Sequence, residues 1–408
     1  MTRVERAVLH CDPYFFCVRR GVSDPSLKGV PFAVCGDAAM RHGIVLAKNQ
    51  LAKAYGVKTA VPIWQAKQAC PQLRIVEPHY DRYMDFSRRA RAVYERYTDM
   101  VEAFGADECW LDVTGSNMLF GSGEHIAREI NERMKKELGL TVSIGVSFNK
   151  CFAKLGSDLN KPDGISLIPR EDFKRIVWPL PAENMLWIGR SAKQRLNSLG
   201  MITIGDIAMI GRDFLVSVFG KSGDGIWRNA MGYDSSPVLR ESELPAAKSI
   251  GKSVTGSADL TSDAEIYRTM LSLAESISEK LRKCSLLCGT VQIHIRDSML
   301  ITTEHQVKLS NPTRLASELA AVGMELFRRS WKWQRQVRSI GIRACELMSD
   351  SECVQLLFEY DYKKAMKLER LETSVDGIRA KYGKRSVTRA SLMNCGAAAS
   401  RGIGFFGE

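Results

Sequence analysis

Asp107 and Glu108 are adjacent carboxylates in the stretch Phe104-Gly-Ala-Asp-Glu-Cys-Trp-Leu-Asp-Val-Thr114, preceded by a glycine and followed by an apolar, strand-like run. Holding two negative groups together against a buried strand is costly unless a cation offsets their repulsion. A lone Asp-Glu pair is more often a solvated turn, but the apolar flanks tilt this one the other way. Asp12 closes another apolar stretch, and a sheet would bring it beside the pair. Three hard oxygen ligands suit magnesium, which takes one or two carboxylates and completes its shell with water and phosphate oxygens. Two such ions about 4 Å apart would activate an attacking hydroxyl and stabilise a leaving oxygen, which is the chemistry of nucleotidyl transfer. Asp112 reads as structural, a carboxylate placed to cap the turn that follows Trp110-Leu111.

Several elements must cooperate to place these groups. Residues 4 to 11 read as a buried strand ending on Asp12, followed by a helix broken near Asp24-Pro25. Strand-like Phe32 to Cys35 and Ile44 to Ala47 lead into helices at Asn49 to Tyr55 and Pro62 to Cys70, the second opened by its proline. Tyr83, Phe86, Ala90, Val93, Tyr94 and Tyr97 recur mostly at spacings of three and four, which predicts one amphipathic helix within Tyr80 to Thr98. Met100 to Phe104 and Cys109 to Val113 pair as a hairpin with the acidic pair between them. Helices are predicted over 124–138 and 149–159, with a strand over 141–147.

Further on, Trp187-Ile188-Gly189, Leu199-Gly200 and the stretch Phe219 to Gly232 punctuate short helices with glycine. Residues 238 to 249 lack an apolar period and read as an exposed linker. Thr290 to Arg296 alternates as a half-buried strand, with helices predicted over 264–283 and 313–330 and again from Lys363 to Tyr382. This mixture predicts an α+β fold, with one sheet carrying the carboxylates.

Bulk composition narrows the class. The 408 residues, 45% of them hydrophobic, suffice for several domains with cores of their own. Lys and Arg number 58 against 46 Asp and Glu, a net charge of +12, which suits a polyanionic partner as well as plain solubility. Eleven scattered cysteines without a CxxC pair argue against a zinc site and for reduced, buried thiols in a cytoplasmic protein. The first residues carry charge where a signal peptide needs an apolar run, and no stretch approaches membrane-spanning length.

Three segments now carry a resemblance. His10-Cys11-Asp12 with Phe15-Phe16, the stretch Gly105 to Thr114, and Val142 to Gly164 with Ser157-Asp158-Leu-Asn-Lys161-Pro162 resemble the Y-family DNA polymerases, most closely the DNA polymerase IV branch. The likeness runs from about residue 6 to 392. It implies a right-hand polymerase with a palm (1–18 and 79–166), small fingers (19–78), a helical thumb (167–238), a linker (239–248), an α+β little finger (249–348) and a tail (349–408). It implies low-fidelity, template-directed primer extension across damaged templates. Two magnesium ions would be held by Asp12, Asp107, Glu108 and the carbonyl of Pro13. The partners implied are primer–template DNA, deoxynucleoside triphosphates and a sliding clamp, met by a monomer that needs no membrane.

The resemblance also assigns single residues. Tyr14, Phe15, Phe16, Gln50, Lys53 and Lys161 fall on nucleotide-binding positions, and Phe16 on the gate that excludes a 2′-hydroxyl. One residue is missing between Asp12 and the Phe pair relative to the family pattern: counting back from Pro25 and Pro31 puts Phe16 at the gate, counting forward from Asp12 puts Cys17 there. Relatives commonly carry Tyr and Arg where this chain has Gln50 and Lys53, so weaker nucleotide binding is expected.

Gly189, Lys193 and Lys221 belong to helix-hairpin-helix-like units whose helix N-termini would meet DNA phosphates, with Trp187 where a first glycine is usual. Lys248 and Lys252 open the little finger, where Arg282, Lys283, Arg296, Lys308, Arg314, Arg335 and Arg338 would line a duplex. Gln355-Leu356-Leu357-Phe358 resembles a clamp-binding peptide. Two other readings share these residues: a catalytically weak, polymerase-like subunit that binds DNA and clamp, and a two-metal nuclease.

Overall fold

The computed structural model describes residues 5–14, 25–37, 43–351 and 360–393; Phe15, Phe16 and Gln355 to Phe358 lie outside the described residues. The chain divides into two units, with the main boundary between Leu244 and Pro245.

The first unit opens with β1 (Val8–Pro13), whose Val8, Leu9, His10 and Cys11 are all fully buried, as a strand covered on both faces must be. Next, β2 (Phe32–Cys35), β3 (Val45–Lys48) and β4 (Arg74–Val76) form a small sheet in the order β3-β2-β4. β4 spans three residues, too few to show a period, and escapes the sequence reading. β5 (Val101–Phe104), β6 (Glu108–Asp112), β7 (Val142–Ser147) and β8 (Ile165–Ile168) then join β1 in a five-stranded sheet ordered β5-β6-β1-β7-β8.

Helices cover both faces of this sheet, and strand alternation decides which side chain meets which helix. Leu9 and Cys11 of β1 and Cys109 and Leu111 of β6 pack against Phe86, Ala90 and Val93 of helix Tyr80–Tyr94 and Ile126 and Ile130 of helix Gly123–Arg133. The period of two therefore turns Val8, His10 and Asp12 to the other face, where Val8 packs with Trp110 and with Ala153 of helix Lys150–Leu159. That helix lies close on β7: a Cβ at Gly145 would stand 2.0 Å from the Ala153 carbonyl oxygen, so only glycine fits. Gly145 pairs across from His10, which seats the helix directly over the β1 residues leading to Asp12.

Short helices Phe173–Val177, Arg190–Ser198, Ile204–Ile210, Arg212–Phe219 and Lys221–Ala230 follow around Leu196, Ile204, Ile207, Leu215 and Ile226. The segment read as an exposed linker from residue 238 begins otherwise. Val238 is fully buried against Val8, Trp110 and Ala153, a single apolar anchor that no periodic pattern reveals.

In the second unit β9 (Ser249–Leu260), β10 (Leu286–Asp297), β11 (Thr302–Thr313) and β12 (Val337–Ser349) form an antiparallel sheet ordered β11-β10-β12-β9. Val291, Ile293 and Ile295 pack on helices Asp263–Lys283 and Ala316–Ser330. The second helix starts at Ala316 and not at 313, because β11 carries the chain through Thr313. Helix Tyr362–Tyr382 docks chiefly through charge: Arg282 meets Glu372 at 2.5 Å and Asp376 at 2.7 Å, and Arg314 pairs with Glu369.

Candidate active site

Asp12 is the penultimate residue of β1, Asp107 ends the turn after β5, and Glu108 opens β6. The turn needs Gly105, whose φ of 88° lies in the left-handed region that glycine enters freely. Because His10 pairs with Trp110 and Cys11 with Cys109, the next step of the ladder brings Asp12 beside Glu108. The Asp12 and Glu108 side chains are only 13% and 19% exposed, so both charges are largely removed from water.

The helix over this face supplies the counter-charge. Lys154 Nζ lies 3.0 Å from Glu108 Oε1, 3.7 Å from Asp12 Oδ2 and 3.4 Å from Asp158 Oδ2. Lys161, just past the helix end, pairs with Asp12 and lies 2.7 Å from Asp158. Beneath them, fully buried His10 places Nε2 3.3 Å from Glu108 Oε2 and Nδ1 2.8 Å from Ser157 Oγ. Its ring meets the edge of Trp110, with centroids 5.3 Å apart.

These surroundings push the carboxyl groups apart in acidity. Burial raises Asp107 to about 6, and the charges of Asp12 and Glu108 add to the effect. Burial also raises Asp12, against the pull of Lys161. In Glu108 burial acts in the same direction but is outweighed by His10 and Lys154, which bring the group down to about 2. Burial lowers His10, and contact with Glu108 opposes that only in part.

Divalent-cation binding fits this donor set. It is made of hard carboxylate oxygens whose ionisation is opposed by burial and by one another, a combination a cation relieves. Among the described residues no three carboxylate, imidazole or thiol groups converge on one ion-sized point, and two ammonium groups carry the positive charge among the oxygens.

The other expected residues fall in several places. Tyr14 follows β1 and gives its hydroxyl to the Lys48 carbonyl. Gln50 and Lys53 are exposed on helix Gln50–Ala54, three residues apart and so on one face. Gly189 caps the N-terminus of helix Arg190–Ser198, Lys193 pairs with Glu183, and Lys221 opens helix Lys221–Ala230. Trp187 has a φ of 73°, so the position where glycine is usual does adopt a glycine-like backbone.

In the second unit Lys248 is exposed and Arg338 half-buried. Arg296 shares the open face of the sheet with Lys308 and Arg343. Lys252 pairs across from the core residue Ile342, and its ammonium is depressed by burial and by Lys384, so it faces the helical side. Arg282, Arg314 and Arg335, expected to line a duplex, are engaged by Glu372, Glu369 and Asp297. Sequence reasoning missed His10, Lys154 and Arg343 as functional candidates. The available signals were the two-residue step from His10 to Asp12 and the 154–158–161 spacing on one helical face.

Asp112, in contrast, accepts from Thr114 N at 3.1 Å and Thr114 Oγ1 at 2.6 Å, the structural turn cap expected of it.

The chain is similar to known proteins. The family model described as the impB/mucB/samB family matches residues 11–158, and that of its C-terminal domain matches residues 247–357. The chain is 46% identical over 392 residues to a DNA polymerase IV of Acetivibrio thermocellus, covering 96% of this chain and 98% of the relative. It is 34% identical to DNA polymerase IV 2 of Bacillus subtilis, covering 93% and 92%. Among solved structures it is similar to a Y-family DNA polymerase chimera of Dbh and Dpo4, with a TM-score of 0.75 and 25% identity over 84% of this chain and 99% of the other. It is also similar to Dbh DNA polymerase in a post-insertion binary complex, with a TM-score of 0.59, 25% identity and the same coverage. A matched fold, two matched domains and relatives aligned over nearly their whole length place the chain in the impB/mucB/samB family, as a Y-family DNA polymerase of the DNA polymerase IV branch.

Proposed function

We propose that this chain is a DNA-directed DNA polymerase that extends a primer by nucleotidyl transfer, with low fidelity, in translesion synthesis. The observation that supports the reading is that Asp12 near the end of β1, Asp107 in the turn before β6 and Glu108 at its start lie close enough for their charges to act on one another. Asp12, Asp107, Glu108 and the Pro13 carbonyl would hold two magnesium ions, which when bound activate the primer 3′-hydroxyl and stabilise the departing pyrophosphate.

The protein's own groups do the rest. Lys161, with Gln50 and Lys53, offers donors to a triphosphate; Tyr14, Phe15 and Phe16 receive the nucleotide, and Phe16 excludes a 2′-hydroxyl. Lys154 balances the carboxylate charge from the side of the helix. Around Gly189, Lys193 and Lys221, helix N-termini present amides to DNA phosphates. Arg296, Lys308 and Arg343 on the open sheet face, with Lys248 and Arg338, take further phosphates and read no sequence. If roughly six phosphates are neutralised, log affinity falls with log salt at a slope of about −5. The peptide Gln355-Leu356-Leu357-Phe358 is the proposed hook for a sliding clamp. No described helix is long and apolar enough to cross a membrane.

Primer extension by the purified full chain tests the reading, with Asp107→Ala as control. Magnesium-dependent growth of a labelled primer that disappears in the control is expected. Shortening of the DNA without primer growth would instead indicate a nuclease.

A further inference from the structure

Three polar side chains behind Glu108 close a circuit with it. Glu108 Oε1 accepts from Lys154 Nζ at 3.0 Å, Glu108 Oε2 faces His10 Nε2 at 3.3 Å, His10 Nδ1 meets Ser157 Oγ at 2.8 Å, and the Ser157 hydroxyl donates to the Lys154 carbonyl at 2.8 Å. Three elements contribute: β1, β6 and helix Lys150–Leu159. His10 and Ser157 are almost wholly buried, and His10 Nε2 and Glu108 Oε2, two buried polar atoms with no regular hydrogen bond among the described residues, face each other at 3.3 Å.

The 2.8 Å hydrogen bond between His10 Nδ1 and Ser157 Oγ sets the plane of the buried ring and aims Nε2 at Glu108 Oε2. Each Glu108 oxygen is then held from a different element, which fixes the rotation of the carboxylate.

We infer that His10, held in place by Ser157, is a positioning residue that fixes Glu108 in the orientation needed to bind metal. The inference rests on the proposed metal-ligand role of Glu108. The supporting chemistry is general: a group that orients a ligand by hydrogen bonding changes metal affinity about 10–100-fold when removed.

The test measures Mn²⁺ binding from the loss of the free-ion electron paramagnetic resonance signal, using the full chain with primer–template ending in a dideoxynucleotide. His10→Phe keeps the ring packed on Trp110 and removes both polar contacts; its affinity is expected to fall about tenfold. Ser157→Ala should weaken binding in the same direction by a smaller factor, and His10→Gln, whose amide can still donate to Glu108, should stay within about threefold of the parent. Thermal unfolding of each variant separates loss of fold from loss of affinity. If His10→Phe does not fold, Ser157→Ala and His10→Gln decide. Affinity within about twofold of the parent in Ser157→Ala and in His10→Phe overturns the inference, provided Asp107→Ala abolishes binding. Undiminished binding by Asp107→Ala would instead overturn the metal-site reading itself.

Discussion

Asp107 and Glu108 are sequence neighbours, yet their environments drive them in opposite directions. Burial lifts Asp107 to about 6, while His10 and Lys154 overcome burial and hold Glu108 at about 2. For Asp107 the folded state holds its proton more tightly than the ordinary carboxyl value of 3.8 would allow. The metal-free protein therefore loses stability as pH rises through the window from 3.8 to about 6, and the whole penalty is in place above it. Asp107→Asn removes that penalty: at pH 7.5 without metal the variant is expected to be more stable, by on the order of 2 kcal/mol. The gain should vanish at about pH 4, which urea unfolding at both pH values would check. At this scale the sequence was legible wherever a residue belonged to a contiguous motif, as Asp107, Glu108 and Asp112 do. His10 and Lys154 were not, because their part depends on which strand face and which helix turn they occupy, and that follows only from the packing of helix Lys150–Leu159 on β1.

That helix is where a single element most controls the site. It supplies Lys154, Ser157 and Asp158, and it reaches β1 only because Gly145 lets it approach β7 so closely. Gly145→Ala is expected to cost about 3 kcal/mol or more, since the added carbon meets backbone and not a flexible side chain; the urea midpoint reads this directly. The helix Gln50–Ala54 offers a milder case. Tyrosine at position 50 would add a ring and a hydroxyl where the amide now stands, and Gln50→Tyr is expected to lower the nucleotide KM severalfold; an unchanged KM in steady-state incorporation would remove Gln50 from the nucleotide site. Helices Tyr80–Tyr94 and Asp263–Lys283, with strong apolar periods, were legible to within a few residues, as was Tyr362–Tyr382, which is rich in helix-forming residues although its apolar period is weak. Strands β4, β8 and β11 were not, being short in the first two cases and mostly solvated in the third. Val238 escaped for the opposite reason, a lone buried residue amid polar neighbours.

At the scale of the whole molecule, the two units are stabilised differently. The first is built around the apolar faces of its sheets and a cluster of short helices, whereas the second adds to its own sheet a C-terminal helix held largely by carboxylates. Glu372 is buried between Arg282 at 2.5 Å and Arg389 at 2.9 Å, and two basic residues that the charge pattern suggested for DNA, Arg282 and Arg314, serve this docking. Glu372→Gln removes the counter-ion that Arg282 and Arg389 share, but Asp376 and Glu275 still hold them and burial already opposes the Glu372 charge, so the second unit is expected to lose only about 1 kcal/mol, seen as a slightly lower Tm for the full chain. Charge counting could not have distinguished these arginines from Arg296 or Arg343, because the difference lies in a segment far along the sequence that folds back onto them. The fold class was nevertheless legible from patterns spread over nearly the whole chain, and the candidate acidic centre from two short stretches around Asp12 and Asp107-Glu108. The role proposed for Asp12, Asp107 and Glu108 is templated nucleotidyl transfer. Single-nucleotide insertion into a primer, run opposite each of the four template bases with and without Mg²⁺, tests it most directly. The expected result is Mg²⁺-dependent addition that favours the complementary nucleotide, tolerates mismatches measurably, and is lost in Asp107→Ala. Addition that ignores the template base, or that persists in Asp107→Ala, would contradict it.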